Sequence, residues 1–557
     1  MKDTVFDFIF RMTDGNKAVA ELCAASIGGI GEGDVCLPLD EEQLRILKNV
    51  PPVAFFAAED TSPASVRTPF VIAGGLLYTR RNWVYERRVS DWILRSIQEK
   101  MDDSVTKLPD DPFYAGLRDE QKAAVIAMCN SRFSILTGGP GTGKTFTISR
   151  AVKFIHDRRP DFRLGLAAPT AKAAARMMES MPKDIGFAIP QATTIHKLLE
   201  SNYDLVTFKH NRDNPLAFDW LVIDEASMID LPLMAKLVDA IPDSCRLTLA
   251  GDADQLASVE RGCVFHDLCR FPGVAVSCLV KSRRFPPDGD IAKLAAAVNA
   301  GTAKKAAEAM AILNGQSDLV SYVDLARLSR DSTFDPAKWP GFADKVLAGF
   351  AAFAESPDYK PQGKEGEPKD PVEFALAHMN DFRVLCALRR GPFGSEQVAR
   401  WIKKELEKKH GKKCSVPLMI TKNDRTLEVT NGDVGVIMPD DPKTLHLPGG
   451  RKIRLELLPA TELAFASTVH KAQGSEFEDV AIVLPPNPGK RKAKTDGDME
   501  AKGEEEDSFK LLTREILYTA ITRTKGSISL WASDAAVTHC AEHATERVSG
   551  LAVRNDP

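Results

Sequence analysis

The 557-residue sequence predicts an α/β protein in which parallel sheets are covered by helices on both faces. From Gln121 onward, short apolar segments alternate with helical patterns, and the segments are SILTGG, RLGLAAPT, WLVIDEA and RLTLAGD. Each segment is brief and apolar throughout, which is typical of a strand buried on both faces. FRVLCAL and VAIVLP repeat this pattern nearer the C-terminus, so we expect a second α/β domain.

Two further regions interrupt this alternation. Residues 1–108 form a predicted N-terminal module, helical at first and more strand-like around RTPFVIAGGLLYTRRNWVYERRVSDWIL. A linker containing Pro109, Pro112 and Gly116 follows this module. Later, PLMITKNDRTLEVTNGDVGVIM and KTLHLPGGRKIRLELLP contain an Asn-Gly and a Gly-Gly turn, which predict a small antiparallel, SH3-like insertion at 416–460.

These boundaries divide the chain into a module, two lobes and one insertion. The first lobe is expected at 109–280, and the second at 281–415 and 461–557 on either side of the insertion. Two low-complexity segments of mixed charge are expected to be mobile loops. They are ESPDYKPQGKEGEPKDP at 355–371 and NPGKRKAKTDGDMEAKGEEEDS at 487–508.

Composition excludes several classes of protein. The net charge of −4 gives no global indication of nucleic-acid binding, so any such binding is expected in a local groove. The first thirty residues lack the basic and then apolar pattern of a signal peptide, and no run reaches the roughly 18 apolar residues of a membrane span. The ten cysteines are scattered without a CxxC pair, which favours reduced thiols in a cytoplasmic protein over a metal site.

The segment TGGPGTGKT matches the phosphate-binding pattern GxxxxGK[ST]. It follows the apolar segment SILT and precedes the helical pattern FTISRAVKFI, the context expected of a P-loop that binds ATP. The backbone N–H groups would surround the phosphates, Lys144 would reach the β- and γ-phosphates, and Thr145 would bind Mg²⁺. The predicted nucleotide-binding loop comprises Gly138, Gly139, Pro140, Gly141, Thr142, Gly143, Lys144 and Thr145.

Polar residues that suit ATP hydrolysis lie at the ends of the neighbouring segments. Asp224 and Glu225 follow the apolar run WLVI, where Asp224 suits Mg²⁺ binding and Glu225 suits polarising the attacking water. An isolated Asp-Glu pair would more often cap a helix, but the upstream P-loop favours the catalytic interpretation. Gln255, after RLTLAGDAD, is expected to sense the γ-phosphate, and Gln121 to recognise adenine. The alternative for either glutamine is an ordinary surface position.

The motif series resembles that of superfamily 1 DNA helicases. In chain order the motifs are GGPGTGKT, LAAPTAKAAARM, ATTIHKLL, LVIDEASMIDLPLM, AGDADQLASV, SRRF, TVHKAQGSEF and LLTREILYTAITR. Outside them, DVCLPL, LLYTRRNWVYE, LCALRRGPFG, NDRTLEVTNGDVGV and TERVSGL resemble the RecD family, the α subunit of exodeoxyribonuclease V in the RecBCD complex. The resemblance runs from about Phe6 to near Leu551. It implies two RecA-like lobes with ATP bound in the cleft between them.

The resemblance also implies roles for an arginine in each of two motifs. Arg523 in YTAITR matches the family's arginine finger, a group that can contribute roughly 10³–10⁵ in rate. Arg284 in SRRF matches a second such arginine. Arg283 occupies a position where the family usually has an aromatic residue, which leaves open which of the two arginines acts. The alternative for all of these arginines is a surface ion pair.

TVHKAQGSEF is expected to contribute to both ligands. By resemblance, Gly474 and Glu476 lie near the nucleotide, Thr468 and His470 face the DNA strand, and Gln473 couples the two. A histidine packed at a helix start is the alternative for His470.

Two segments of the first lobe are predicted to contact DNA phosphates. The candidates are Thr170, Lys172 and Arg176 in PTAKAAARM, and Thr193, Thr194 and His196 in ATTIHKLL. Threonine is also common at helix N-caps, so capping is the alternative. The resemblance places a strand-separating hairpin at about 200–218, whose KHNRDNP tip is basic and rich in turn residues but has no aromatic wedge.

Together these features predict an ATP-dependent DNA helicase that acts on single-stranded and tailed duplex DNA. The resemblance implies 5′→3′ polarity, and RecB-like and RecC-like partners that dock on the N-terminal module in double-strand-break repair and recombination. We find no nuclease constellation in the sequence. A free-standing RecD-like helicase and an ATP-binding scaffold subunit remain as alternatives.

Overall fold

The computed structural model describes residues 2–13, 15–48, 56–58, 68–99, 105–183, 185–201, 207–258, 262–326, 335–362, 366–411, 414–424, 426–486 and 511–553. The chain forms two compact units. The first comprises Met1–Ser282 with Glu546–Pro557, and the second comprises Arg283–Thr545. Within the described ranges, every helix is too short or too polar to cross a lipid bilayer.

The N-terminal part of the first unit is a small mixed sheet flanked by helices. Its elements are α1 (Lys2–Met12), α2 (Lys17–Glu32), β1 (Cys36–Pro38), α3 (Glu41–Lys48), β2 (Phe56–Ala58), β3 (Phe70–Ala73), β4 (Leu76–Thr79) and α4 (Arg80–Gln98). The strand order is β1-β4-β3-β2. Gly74 and Gly75 join β3 to β4 with φ of 55° and 77°, as a two-residue hairpin turn requires.

Helix α4 connects this module to the first α/β lobe. Trp92 packs edge to face against Phe133 with ring centroids 5.5 Å apart, and both belong to one continuous buried cluster with Trp83 and Leu247. The N-terminal module therefore shares a core with the lobe that follows it.

The first lobe contains a six-stranded sheet in which every pair of strands is parallel. Its elements are α5 (Pro112–Ala115), α6 (Asp119–Asn130), β5 (Phe133–Gly138), α7 (Lys144–Arg158), β6 (Leu164–Ala168), α8 (Ala171–Ser180), β7 (Thr193–Thr194), α9 (Ile195–Leu198), β8 (Trp220–Ile223), α10 (Leu231–Ala240), β9 (Arg246–Gly251), α11 (Val264–Cys269) and β10 (Ala275–Leu279). The order is β10-β5-β9-β8-β6-β7. Strands β5, β6 and β8 are buried along their whole length, which explains why their sequences are continuous apolar runs.

The second unit contains two sheets. Its elements are α12 (Asp290–Asn299), α13 (Ala303–Leu313), β11 (Val320–Asp324), α14 (Phe342–Gly349), α15 (Ala351–Ala354), α16 (Pro371–His378), β12 (Phe382–Cys386), α17 (Ser395–His410), β13 (Val416–Ile420), β14 (Val434–Met438), β15 (Asp441–Leu447), β16 (Arg451–Arg454), β17 (Thr461–Leu463), β18 (Ala466–Thr468), β19 (Asp479–Val483), α18 (Arg514–Ile521), β20 (Ile528–Ala532) and α19 (Asp534–Glu542). One five-stranded sheet, β11-β20-β19-β12-β18, is parallel, and the other, β16-β15-β14-β13-β17, is antiparallel. The predicted class, two parallel-sheet lobes with a small β insertion in the second, is confirmed.

Several helices begin at a residue whose side-chain oxygen accepts the N–H of a residue three positions later. This satisfies one of the backbone donors left unpaired at a helix start. The capping residues are Thr170, Thr194, Asp230, Thr302, Asp370 and Ser533.

The C-terminal residues correct one predicted boundary. Residues 546–557, assigned above to the second lobe, belong to the first unit, where α20 (Gly550–Val553) lies. The Val35 N–H donates to the Val548 carbonyl at 2.9 Å, and the Val548 N–H donates to Asp34 Oδ1 at 2.8 Å. These two hydrogen bonds, one to a backbone carbonyl and one to a carboxylate, hold Val548 against the N-terminal module.

The two predicted mobile loops differ in outcome. Residues 487–508 lie outside the described residues. In 355–371, the described residues are packed: Ser356 is fully buried and its hydroxyl bonds that of Ser415 at 2.8 Å. The Tyr359 ring stacks on Phe374 at 4.1 Å. The low complexity of this segment therefore did not prevent its flanks from joining the core.

Candidate functional site

The predicted phosphate loop leaves β5 at Gly138 and enters α7 at Lys144. Gly141 and Gly143 have φ of 75° and 90°, in the left-handed region where glycine is unstrained. A Cβ at Gly138 would lie 2.6 Å from the Leu279 carbonyl oxygen, so this position also requires glycine. Three of the glycines are thus demanded by backbone geometry, and the loop shape follows directly from the sequence.

Lys144 lies across this loop. Its Nζ donates to the Gly138 carbonyl at 2.6 Å and is 3.4 Å from the Gly139 oxygen, while Thr142 Oγ1 donates to Gly139 O at 2.8 Å. Thr145 is half-buried in the first turn of α7, directly after Lys144. An ammonium group, a helix N-terminus and a threonine hydroxyl therefore share one concave loop, and this donor set suits a Mg²⁺-bound triphosphate.

Asp224 and Glu225 follow β8 directly. Burial raises the pKa of the Asp224 carboxyl to about 6, the neighbouring Glu225 carboxylate acts in the same direction, and Lys144 opposes the shift. Asp224 Oδ1 accepts the Glu225 N–H at 2.9 Å. Glu225 has φ of 53°, one of the few described non-glycine residues in the left-handed region. Such strain is found more often at functional sites than elsewhere.

The loop after β9 lies between these two sets because β9 is hydrogen-bonded to both β5 and β8. Gln255 is buried, and its Nε2 donates to Asp252 Oδ2 at 2.8 Å. Asp252 is buried as well, and burial raises the pKa of its carboxyl while Lys144 opposes the shift. Sequence reasoning missed Asp252, although it ends an apolar strand in the same way as Asp224.

Gln121 is a buried residue of α6 rather than a surface one. Its Oε1 accepts the Arg118 N–H at 3.1 Å, and its Nε2 donates to the Thr142 carbonyl at 3.2 Å. Arg118 Nη2 donates to the same carbonyl at 2.7 Å. The structure therefore gives Gln121 and the unpredicted Arg118 a role in bracing the phosphate loop, and adenine recognition by Gln121 stays a prediction.

The predicted DNA-binding residues of the first lobe lie after β6, in β7 and directly after β7, and these two strands are neighbours at one side of the sheet. The Thr170 and Thr194 hydroxyls cap α8 and α9, while Lys172 and His196 are exposed. Arg176 is close enough to Asp224 to lower the pKa of its carboxyl. Both threonines thus have the capping role that was the alternative to DNA contact.

The predicted hairpin at 200–218 is described except for residues 202–206. Ser201 pairs antiparallel with Phe208, and the Asn211 and Asn214 backbones bond each other at 3.1 Å in both directions. The Phe208 ring lies 5.8 Å from the ring of His196. This tight turn contains the basic tip and contacts the neighbouring DNA-binding candidate.

Four predicted residues of the second unit form one cluster. They are Arg284, Gly474, Glu476 and Arg523. Arg284 makes an ion pair with Glu476, and its Nη1 is 3.5 Å from the Thr522 carbonyl. Arg523 is buried, and its Nε and Nη1 donate to the carbonyls of Thr519 at 3.2 Å and Ser475 at 3.3 Å. Arg283 is exposed by contrast. The structure therefore places Arg284 against the QGSE segment, which also contains Gly474.

The rest of TVHKAQGSEF is held by hydrogen bonds and packing within the second unit. Thr468 Oγ1 accepts the Lys471 N–H at 3.3 Å, and His470 begins a single 3₁₀ turn. The segment then bends at Gly474, which has φ of 67°. The guanidinium of Arg383 lies 4.9 Å from the Phe477 ring centroid, and burial lowers the pKa of Arg383 to about 10. Arg383 was not predicted, because an arginine inside the apolar strand FRVLC has no local signal of function.

Comparison with known proteins finds three kinds of similarity. Residues 121–261 match the family model described as an AAA domain. The chain is 32% identical to the RecBCD enzyme subunit RecD of Mycolicibacterium smegmatis, over 98% of this chain and 95% of that protein. It is 27% identical to the ATP-dependent RecD2 DNA helicase of Deinococcus radiodurans, over 75% of this chain and 50% of that protein. The crystal structure of Pif1 helicase from Candida albicans is 15% identical, covers 76% of this chain and 96% of that chain, and has a TM-score of 0.38.

The two parallel sheets, the phosphate loop and its carboxylates define the class of ATP-dependent DNA helicases. Within this class, full-length similarity above 30% identity settles the family. The chain belongs to the RecD family of RecBCD enzyme subunits.

Replacing Glu225 by Asn is expected to raise the free energy of unfolding relative to Glu225→Gln, by about 0.5–1 kcal/mol. Asn tolerates the left-handed region better than Gln, so only the Asn variant relieves the backbone strain. Chemical denaturation of the two variants measures this difference.

Glu428→Asn is the matched control, because Glu428 also has φ of 53° but lies in the β insertion. Glu428→Asn should likewise have a higher free energy of unfolding than Glu428→Gln, and it should leave ATP hydrolysis unchanged. A Glu225→Asn variant that is less stable than Glu225→Gln would contradict the assignment of strain to this backbone position.

Proposed function

We propose that the chain is a 5′→3′ DNA translocase that works as a RecD-type subunit with RecB-like and RecC-like partners in double-strand-break repair and recombination. The observation that carries the proposal is the cluster of Arg284, Glu476 and Arg523. Arg284 and Glu476 are 192 positions apart in sequence and yet form an ion pair. A motor that hydrolyses ATP between two lobes needs such cations on the lobe opposite its phosphate loop.

In the proposed mechanism, the P-loop N–H groups and Lys144 bind the β- and γ-phosphates. The Thr145 hydroxyl and the Asp224 carboxylate would hold Mg²⁺, which neutralises charge on the phosphates. Glu225 orients the attacking water, and Gln255 senses the γ-phosphate through the loop that Asp252 stabilises. The support is that all of these side chains follow three adjacent strands of the first sheet.

Arg523 and Arg284 would complete the site when the two lobes close. Each would stabilise negative charge that develops on the γ-phosphoryl group. Glu476 holds Arg284 in place before closure, and Ser475 O does the same for Arg523. Both arginines contact the Gly474–Glu476 segment. A change at the nucleotide would therefore be transmitted along TVHKAQGSEF to Thr468 and His470, which precede this segment.

DNA would be bound by both lobes. The proposed contacts are Thr170, Lys172, Thr194, His196, Thr468 and His470. Hydroxyls, cations and backbone N–H groups of this kind bind phosphates without sequence preference. Alternating affinity of the two lobes during each hydrolysis cycle would then move the strand.

The similarity pattern favours a partner subunit over a free-standing helicase. The match covers 95% of the M. smegmatis RecD subunit but only 50% of the D. radiodurans RecD2 helicase. We propose that the N-terminal module docks the partners and that the protein acts in the cytoplasm, where its cysteine thiols stay reduced.

The function is tested with labelled duplexes that carry either a 5′ or a 3′ single-stranded tail. We expect ATP-dependent release of the labelled strand from the 5′-tailed duplex, at least about tenfold faster than from the 3′-tailed one. Release from the 3′-tailed duplex alone would refute the polarity, and ATP hydrolysis without release from either would favour the scaffold alternative.

Replacing Lys144 by Gln is expected to abolish DNA-stimulated ATP hydrolysis, because the neutral amide cannot compensate phosphate charge. A steady-state assay of phosphate release measures the effect. Lys153→Gln is the matched control, since Lys153 lies on the same helix and pairs with Asp157 at 2.9 Å. Unchanged turnover in the Lys144 variant would remove the P-loop assignment.

Replacing Arg523 by Ala is expected to lower kcat for ATP hydrolysis by roughly 10³-fold while nucleotide affinity changes little. Equilibrium binding of a fluorescent ATP analogue and steady-state hydrolysis separate the two quantities. Arg400→Ala is the comparison, because it removes another arginine of the same unit whose Nε donates to a main-chain carbonyl, that of Glu396 at 3.0 Å, on the exposed surface. A loss of affinity as large as the loss of kcat would contradict the arginine-finger role.

A further inference from the structure

Three sequence phrases that the motor does not use converge in the first unit. DVCLPL at 34–39 and LLYTRRNWVYE at 76–86 belong to the N-terminal module, and TERVSGL at 545–551 ends the chain. Residues 546–551, which we call the C-terminal strap, lie against both of the other phrases. The strap is therefore a contact between the two ends of the sequence, and its purpose is not explained by nucleotide or DNA binding.

One end of the strap is fixed by a buried carboxylate. Glu86 on α4 is fully buried, and its Oε2 accepts the Gly550 N–H at 3.0 Å and lies 3.4 Å from Ser549 Oγ. Its Oε1 accepts the Tyr78 hydroxyl at 2.9 Å. A buried carboxylate is costly unless several donors satisfy it, so these bonds specify the strap position closely.

The other end of the strap reaches the loop that contains Gln255. Arg547 Nη1 donates to the Ser258 carbonyl at 2.6 Å and to the Gly262 carbonyl at 3.1 Å. The Gly262 N–H in turn donates to the Gly33 carbonyl at 2.8 Å. Ser258 is three residues after Gln255, so Arg547 and the Gly33 turn hold the far side of the same loop.

We infer that Arg547 is a positioning residue for ATP hydrolysis, which fixes the Gln255 loop through Ser258 and Gly262 and couples that loop to the N-terminal module. The inference rests on the proposed hydrolysis of ATP at this site. A guanidinium that donates to two carbonyls of one loop sets the backbone position more tightly than apolar packing does. Because the N-terminal module holds the strap, a change in that module would displace the loop as well.

Gly33 offers an independent way to disturb the same contact. Its φ is 101°, and a Cβ there would lie 2.5 Å from Arg547 Nε and 2.7 Å from its Cζ. Gly33→Ala would therefore push the guanidinium away from the loop without removing it, and it would also strain the backbone at this positive φ, so its stability is measured beside its activity. Gly33 is near the opposite end of the sequence from Arg547, and the substitution changes no residue of the proposed nucleotide site.

The test compares DNA-stimulated ATP hydrolysis by the full chain carrying Arg547→Ala, Arg547→Lys or Arg246→Ala. For Arg547→Ala we expect kcat to fall about 10- to 100-fold, with KM for ATP changed less than about twofold. Arg547→Lys should regain part of kcat, since one ammonium can still reach one carbonyl. Arg246 Nη1 donates to the Cys129 carbonyl at 2.8 Å at the amino end of β9, so Arg246→Ala loses a similar bond far from the loop and should keep its kcat.

A double-mutant cycle with Gly33→Ala distinguishes positioning from general destabilisation. Gly33→Ala alone should lower kcat in the same way, and in the Arg547→Ala background it should add less than about a twofold loss. Thermal unfolding of every variant shows whether each is folded at the assay temperature. Unchanged kcat in folded Arg547→Ala, or additive losses in the cycle, would overturn the inference. Absence of hydrolysis in the unmodified chain would instead overturn the proposed function.

Discussion

The first unit depends on the parallel pairing of β5, β9 and β8. Because parallel strands point the same way, their carboxyl ends meet at one edge and the loops that follow them become neighbours. Lys144, Asp252 and Asp224 follow these three strands, and Lys144 lowers the pKa of both carboxyls. The apolar strands beneath them create the low-polarity surroundings that raise the pKa values of both carboxyls. Chemistry at this edge is thus a consequence of sheet topology.

In the second unit, the main structural requirement is to hold arginine guanidinium groups in place. Arg284 uses Glu476 as its partner, whereas Arg523 and Arg383 are bonded to main-chain carbonyls. Carbonyl partners orient a guanidinium through its N–H groups, and these bonds set the position of Arg523 within the second unit. Burial of Arg383 beneath Phe477 also fixes the segment that contains Glu476, which links arginine placement to the stability of the lobe.

The two ends of the chain belong to one unit, and this has a mechanical consequence. The second unit is an insertion, since the chain leaves the first unit after Ser282 and returns at Glu546. The returning residues pair with Val35 and Glu86 and hold the loop at Ser258. The N-terminal module, the strap and Ser258, which follows Gln255 in sequence, are therefore joined by hydrogen bonds, and the module shares its core with the first sheet through Trp92.

The sequence by itself determined those features whose cause is local. Gly141 and Gly143 are required by positive φ, the buried strands need continuous apolar runs, and Asp224 and Glu225 are recognisable because they end such a run. Tertiary structure alone decided the roles of Asp252, Arg118, Arg383 and Arg547, the pairing of Arg284 with Glu476, and the return of residues 546–557 to the first unit. A local pattern encodes backbone conformation and burial, whereas the partner of a charged side chain depends on which distant elements pack beside it.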